Sequence, residues 1–164
     1  MCVTMTYYET PGRENIEKTL ELVKKRAEEL GIKNVVVAST RGFTAEKAFD
    51  AFKETDVTLT IVGIGRDSFP KDLYGKLEEE GHNVVFSRET DYEYPDLVKA
   101  AYRRFCEGVK VAPEIVMIAA QKGLVSIDEE VISIGKWDTA LVIKPSISDR
   151  FSELEIKELI CKPR

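Results

Sequence analysis

Apolar and polar positions alternate over Val3, Met5 and Tyr7 against Thr4, Thr6 and Tyr8, a period of two that predicts a short first strand of the edge type. Thr10-Pro11-Gly12 breaks that pattern, and Ile16, Leu20, Val23, Ala27 and Leu30 then recur at helical spacing until Gly31. Val35 to Ala38 is a short β-branched run of the kind found in strands buried on both faces. A helix with Ala45, Ala48, Phe49 and Phe52 on one side follows, and then a second apolar strand over Val57 to Val62. Gly63-Ile64-Gly65-Arg66 turns the chain, Pro70 suits the first position of a helix carrying Leu73 and Leu77, and Val84 to Phe86 predicts another core strand. The middle of the chain therefore reads β-α-β-α-β, an order that favours a parallel sheet with right-handed crossovers.

Ser87 to Tyr94 is polar, acidic and aromatic, and is predicted to be a loop ending at Pro95. Two helices are expected next, one presenting Leu97, Val98, Ala101 and Phe105, the other starting near Pro113 and carrying Ile115, Val116, Ile118 and Ala119 up to Gly123. Val131 to Ile134 and Thr139 to Ile143 predict two strands. The link Gly135-Lys136-Trp137-Asp138 is too short for anything but an antiparallel pairing. Leu154, Ile156, Leu159 and Ile160 suggest a final strand or a helical start. No repeat, low-complexity tract or linker interrupts residues 1–164, so a single α/β domain is expected.

Composition narrows the function classes. The 164 residues carry 43% hydrophobic positions, enough for a packed core and against disorder. The formal charge of -5 and the interleaving of Lys24-Lys25-Arg26 with glutamates argue against a nucleic-acid surface. No apolar stretch approaches the roughly 20 residues of a membrane span, and Met1 to Tyr8 lacks the pattern of a secretory leader, so a cytoplasmic protein is expected. Cys2, Cys106 and Cys161 are scattered and predict neither disulfides nor zinc. The chain is rich in Lys and Glu and has one glutamine, Gln121, a balance seen in thermophiles.

Three segments offer chemistry. Ser39-Thr40-Arg41-Gly42-Phe43-Thr44 links an apolar strand to a helix, and a helix start with hydroxyls, a glycine and an arginine forms a phosphate cradle. It lacks the Walker triplet, and the same residues also read as a plain start in which Gly42 turns and Thr44 caps. Gly63-Ile64-Gly65 has two glycines of a dinucleotide fingerprint but not the third, which favours a turn. Lys136-Trp137-Asp138-Thr139 places the single tryptophan beside a lysine, either to stack on a ligand ring or to cover the end of the sheet. His82, behind Gly81 at a helix end, reads as a complement to the helix dipole. Glu89, Asp91, Glu93 and Asp96 read as solvated loop charges, and no metal is expected. No motif specifies a reaction.

Tyr7 to Asn15, Asn34 to Ser39, Gly108 to Val111 with Gly123-Leu124-Val125, Asp138 to Pro145 and Lys162-Pro163-Arg164 together resemble a small archaeal family that looks like a free-standing pyruvate kinase C-terminal domain. The resemblance implies a three-layer α/β/α fold with a mixed five-stranded sheet of order 3-2-1-4-5, the last strand antiparallel. Strands 1 and 4 of that order leave a crevice at their carboxyl ends, the expected ligand site of an open α/β sheet. In pyruvate kinase the corresponding turns hold a sugar bisphosphate effector, so Ser39, Thr40, Arg41, Gly42, Phe43 and Thr44 would hold a phosphate here. Gly63, Lys136, Trp137, Asp138 and Thr139 would border the same crevice. Members of the archaeal family look like FMN binders, which makes FMN the implied cofactor and a phosphorylated small molecule the implied partner. Two alternatives accompany this reading: a flavin-dependent oxidoreductase, and a regulatory or assembly subunit that self-associates as a homo-oligomer.

Overall fold

A computed structural model describes residues 2–164. Its elements run β1 (Thr6–Tyr8), α1 (Ile16–Leu30), β2 (Asn34–Ala38), α2 (Phe43–Phe52), β3 (Thr58–Gly63) and α3 (Lys71–Glu79). They continue with β4 (Asn83–Phe86), α4 (Asp96–Arg103), α5 (Glu107–Gln121), β5 (Val131–Lys136), β6 (Thr139–Lys144) and β7 (Glu155–Pro163). The sheet has seven strands in the order β1-β7-β6-β5-β2-β3-β4, not five. Two additional strands account for the difference. β7 pairs antiparallel with β6, and β1 pairs parallel with β7 through Thr6 to Tyr8, so the chain's first and last strands together extend one edge. Val3 and Met5 lie outside β1, which is therefore shorter than their alternation suggests.

β2, β3, β4 and β5 are parallel and β6 runs against β5. Alternation along the strands divides the interior into two layers. Val35 and Val37 of β2 face a core shared with Leu20 and Val23 of α1, Ala48 and Phe52 of α2 and Leu77 of α3. Val36 faces the opposite core, with Val109, Ala112, Val116 and Ala119 of α5. Burying a side chain of this size stabilises by about 1.5–3 kcal/mol, so the two layers fix the register of every central strand. Among the described residues no helix is long and apolar enough to cross a membrane.

Two helices differ from the pattern. α5 begins at Glu107, six residues before the expected start, and carries Pro113 inside it. A proline at the first helical turn and one in the second turn leave the same local trace, and here the helix is held by the ten residues it buries. α4 turns Val98 and Tyr102 inward as half-buried residues, whereas Leu97 is 82% and Phe105 54% exposed. The segment Ser87–Tyr94 is packed, since Tyr94 is buried and its hydroxyl donates to the Lys110 carbonyl at 2.7 Å. Glu89 within it is paired with Arg66 at 2.8 Å.

A candidate anion-binding cleft at the reversal of strand order

β2 is followed on one side by β3 and β4, and β5 returns on its other side, so the loops leaving the carboxyl ends of β2 and β5 diverge. An open cleft of about 510 Å³ lies between them. One wall is the loop into α2, with Ser39, Thr40, Arg41, Phe43 and Thr44. The second is the end of β5, with Gly135, Lys136 and Trp137. The third is the first half of α5, where Glu107, Lys110 and Glu114 face the opening above Ile115 and Ile118. Ala38 and Val62 complete an apolar floor, Gly63 and Ser87 border it, and Arg13 reaches across the mouth.

The α2 wall is built by a helix start without a side-chain cap. Gly42, at φ 95°, occupies the capping position, and Thr44 sits inside the first turn. Thr44 therefore does not cap the helix. Ser39 takes that role from outside: its hydroxyl accepts the Ala45 N–H at 3.2 Å, while Glu46 N–H returns to the Gly42 carbonyl at 2.9 Å. The N–H groups of Phe43 and Thr44 have no acceptor among the described residues. Two free amides at the positive end of a helix attract an anion.

Arg13, Arg41 and Lys136 add three cations to the rim, and none has a carboxylate partner among the described residues. The Lys136 ammonium lies 4.9 Å from the centre of the Trp137 ring. On the α5 wall charges are compensated. Lys110 pairs with Glu114 at 2.7 Å, Tyr92 donates to Glu114 at 2.8 Å, and Arg103 donates to Glu107 at 2.9 Å. Burial, together with the Glu114 carboxylate, pushes the Tyr92 hydroxyl well above the ordinary phenol range, so it stays a donor. The cleft is thus cationic at one end and neutralised at the other, over an apolar floor.

Three of the residues expected at the crevice lie elsewhere. Gly42 faces Pro70 and Leu73 in a separate shallow groove between α2 and α3. Asp138 is 2% exposed, and its carboxylate accepts the Gly12 N–H and the Thr139 hydroxyl, each at 3.0 Å. Thr139 is fully buried. Asp138 and Thr139 therefore hold the site's frame and do not line it. Gly135 is pressed against the start of α5: a Cβ there would collide with the Gly108 carbonyl, and one on Gly108 would collide with Thr139. His82 also has a different task, since its Nδ1 accepts the Leu59 N–H at 3.0 Å and burial lowers its pKa. It serves β3 as a neutral acceptor, not the helix dipole as a cation.

Sequence reasoning missed Arg13 and the α5 wall. Arg13 stands in a segment without periodicity, held in place by Asp138, 126 positions away from Gly12. Glu107 and Lys110 precede the helix start that Pro113 predicts, and α5 includes them because it begins six residues earlier.

No family model matches the chain. Among solved structures it is similar to a pyruvate kinase from Cryptosporidium parvum, at 9% identity and a TM-score of 0.40, over 77% of this chain and 21% of the kinase. A second pyruvate kinase structure from that organism gives 10% and 0.40, over 76% and 20%. A third, in complex with ADP, gives 10% and 0.39 with the same coverage of 76% and 20%. The chain spans about a fifth of the length of these kinases.

Proposed function

We propose that this protein binds a phosphorylated small molecule in the cleft at the carboxyl ends of β2 and β5, with FMN as the specific candidate. The observation that carries the reading is the convergence on one rim of Arg13, Arg41, Lys136 and the unpartnered amides of Phe43 and Thr44, in a chain whose net charge is -5. A local positive field in an acidic protein selects anions and raises their encounter rate. The residues fit both parts of FMN. The phosphate would be held by the Ser39–Thr44 loop, and the ring would lie on the apolar floor of Ala38, Val62, Ile115 and Ile118. When bound, FMN supplies a ring that accepts and returns electrons, while the protein contributes position and field. A volume of about 510 Å³ is within the usual range of small-molecule sites.

Titration calorimetry with FMN, riboflavin and inorganic phosphate tests this. FMN is expected to bind, and riboflavin, which lacks the phosphate, to bind at least about tenfold more weakly. Arg41→Ala should narrow that difference. Equal affinity for FMN and riboflavin would refute the phosphate cradle, and absence of binding by both FMN and phosphate would refute the ligand class.

A further inference from the structure

The cation that lies furthest in sequence from the two crevice loops has the most constructed setting. Arg13 follows Thr10-Pro11-Gly12, in the segment between β1 and α1. That segment is closed on itself, since the Asn15 amide donates to the Thr10 carbonyl at 2.8 Å and the Asn15 N–H to the Gly12 carbonyl at 3.2 Å. It is fastened to the β5–β6 turn by the Gly12 N–H on buried Asp138, the residue directly after Trp137. One carboxylate thus sets the position of Arg13 relative to Lys136 and Trp137.

The guanidinium is then received by two rings. Its carbon lies 4.5 Å from the centre of Phe43 and 5.6 Å from that of Trp137, and these rings come from the two walls of the cleft. A guanidinium held against two rings, with no hydrogen-bond acceptor taking its N–H groups among the described residues, keeps those groups available. Those groups form the planar fork that matches two phosphate oxygens, and prior orientation reduces the entropy lost when the fork engages. Arg13 itself is exposed and, among the described residues, has no carboxylate to occupy the fork.

Resting on the phosphate reading of the cleft, we infer that Arg13 is a third ligand-contacting cation, a pre-oriented phosphate fork delivered by the segment between β1 and α1 and aimed by Phe43 and Trp137. The site is therefore assembled from three separate stretches of chain, and Arg13 contributes directly to its affinity for the phosphate.

The test is titration calorimetry of inorganic phosphate at constant ionic strength with the full chain and its Arg13→Ala, Arg13→Lys and Arg41→Ala variants. Arg13→Ala is expected to weaken phosphate binding about ten- to a hundredfold. Arg13→Lys, with the charge but without the fork, is expected to recover only part of the loss. Wild-type phosphate affinity in either Arg13 variant, alongside weakened binding in Arg41→Ala, overturns the inference and leaves the phosphate cleft standing. Lack of saturable phosphate binding by the wild-type protein overturns both. Because Arg13 is exposed, its variants should melt with the parent, and the lysine variant keeps the question open to measurement if the alanine variant does not.

Discussion

Replacing Asp138 separates two accounts of that residue, a ligand group or a structural tie. Its carboxylate accepts two hydrogen bonds of 3.0 Å, from the Gly12 N–H and the Thr139 hydroxyl, and it is 2% exposed. Asp138→Ala removes both acceptors, leaving the half-buried Gly12 amide without a partner and the fully buried Thr139 hydroxyl with only the Cys106 thiol, a weak acceptor at 3.5 Å. A hydrogen bond to a charged group contributes about 1.5–3 kcal/mol and an abandoned buried donor costs about 1–3 kcal/mol, and these overlap in part, so a loss of about 3–5 kcal/mol is expected. Asp138→Asn should cost much less, about 1–2 kcal/mol, because the amide oxygen can serve Gly12 while its NH₂ donates to Thr139. The Thr139 hydroxyl can turn to do so, since Cys106 Sγ lies 3.5 Å away on its other side. Thr139→Val removes that option. In the wild type Thr139→Val breaks a bond to a charged group and in Asp138→Asn only a neutral one, so the double variant should be more stable than the sum of the single changes predicts, by about 1 kcal/mol. Urea unfolding followed by circular dichroism measures the wild type and the four variants, with melting shifts of about 2–4 °C per kcal/mol as a check. An alanine variant no less stable than the asparagine variant, or additive single changes, would refute the argument.

Two further outcomes follow from other parts of the structure. The His82 pKa is lowered in the folded state by burial, and a protonated ring has no lone pair for the Leu59 N–H, so its contribution is complete above the unfolded value of about 6.5 and is lost as pH falls below that toward the folded value. Urea midpoints of wild type and His82→Gln should accordingly differ more at pH 8 than at pH 5, and a difference independent of pH would contradict the assignment. Gly135→Ala drives a methyl into the Gly108 carbonyl, which is backbone and cannot swing aside, so a loss of about 2–3 kcal/mol is expected in thermal melts, and a neutral substitution would show the contact to be loose.

The central strands were legible because their signals are local and redundant. Val35-Val36-Val37 can be little else than a strand buried on both sides, and Gly31, at φ 67°, ends α1 as a left-handed C-cap. The crevice was legible for a related reason: once the strand order reverses beside β2, the loops Ser39–Thr44 and Gly135–Trp137 must border it. What escaped depends on contacts between distant residues. On α4 the stripe Leu97-Ala101-Phe105 and the stripe Val98-Tyr102 have the same period, and only the position of α5 decides that the second faces inward. Asp138 and Thr139 carry polar atoms suited to a ligand, yet their hydrogen bonds are made within the protein. Arg13 becomes a rim residue only through a tie between the two ends of the chain.

The meeting of Gly135 with the first turn of α5 gives the cleft an unequal pair of jaws. With no side chain on either glycine, the turn bearing Lys136 and Trp137 is seated on the backbone of α5 and has no free space to swing. The opposite side, the stretch from Thr10 to Asn15, is held across the gap by the Gly12 N–H on the Asp138 carboxylate and by the contacts of Arg13 with Phe43 and Trp137. A ligand of the proposed class would then exchange with solvent on the Arg13 side, where opening costs one hydrogen bond and two cation–ring contacts, and not on the side seated on the α5 backbone.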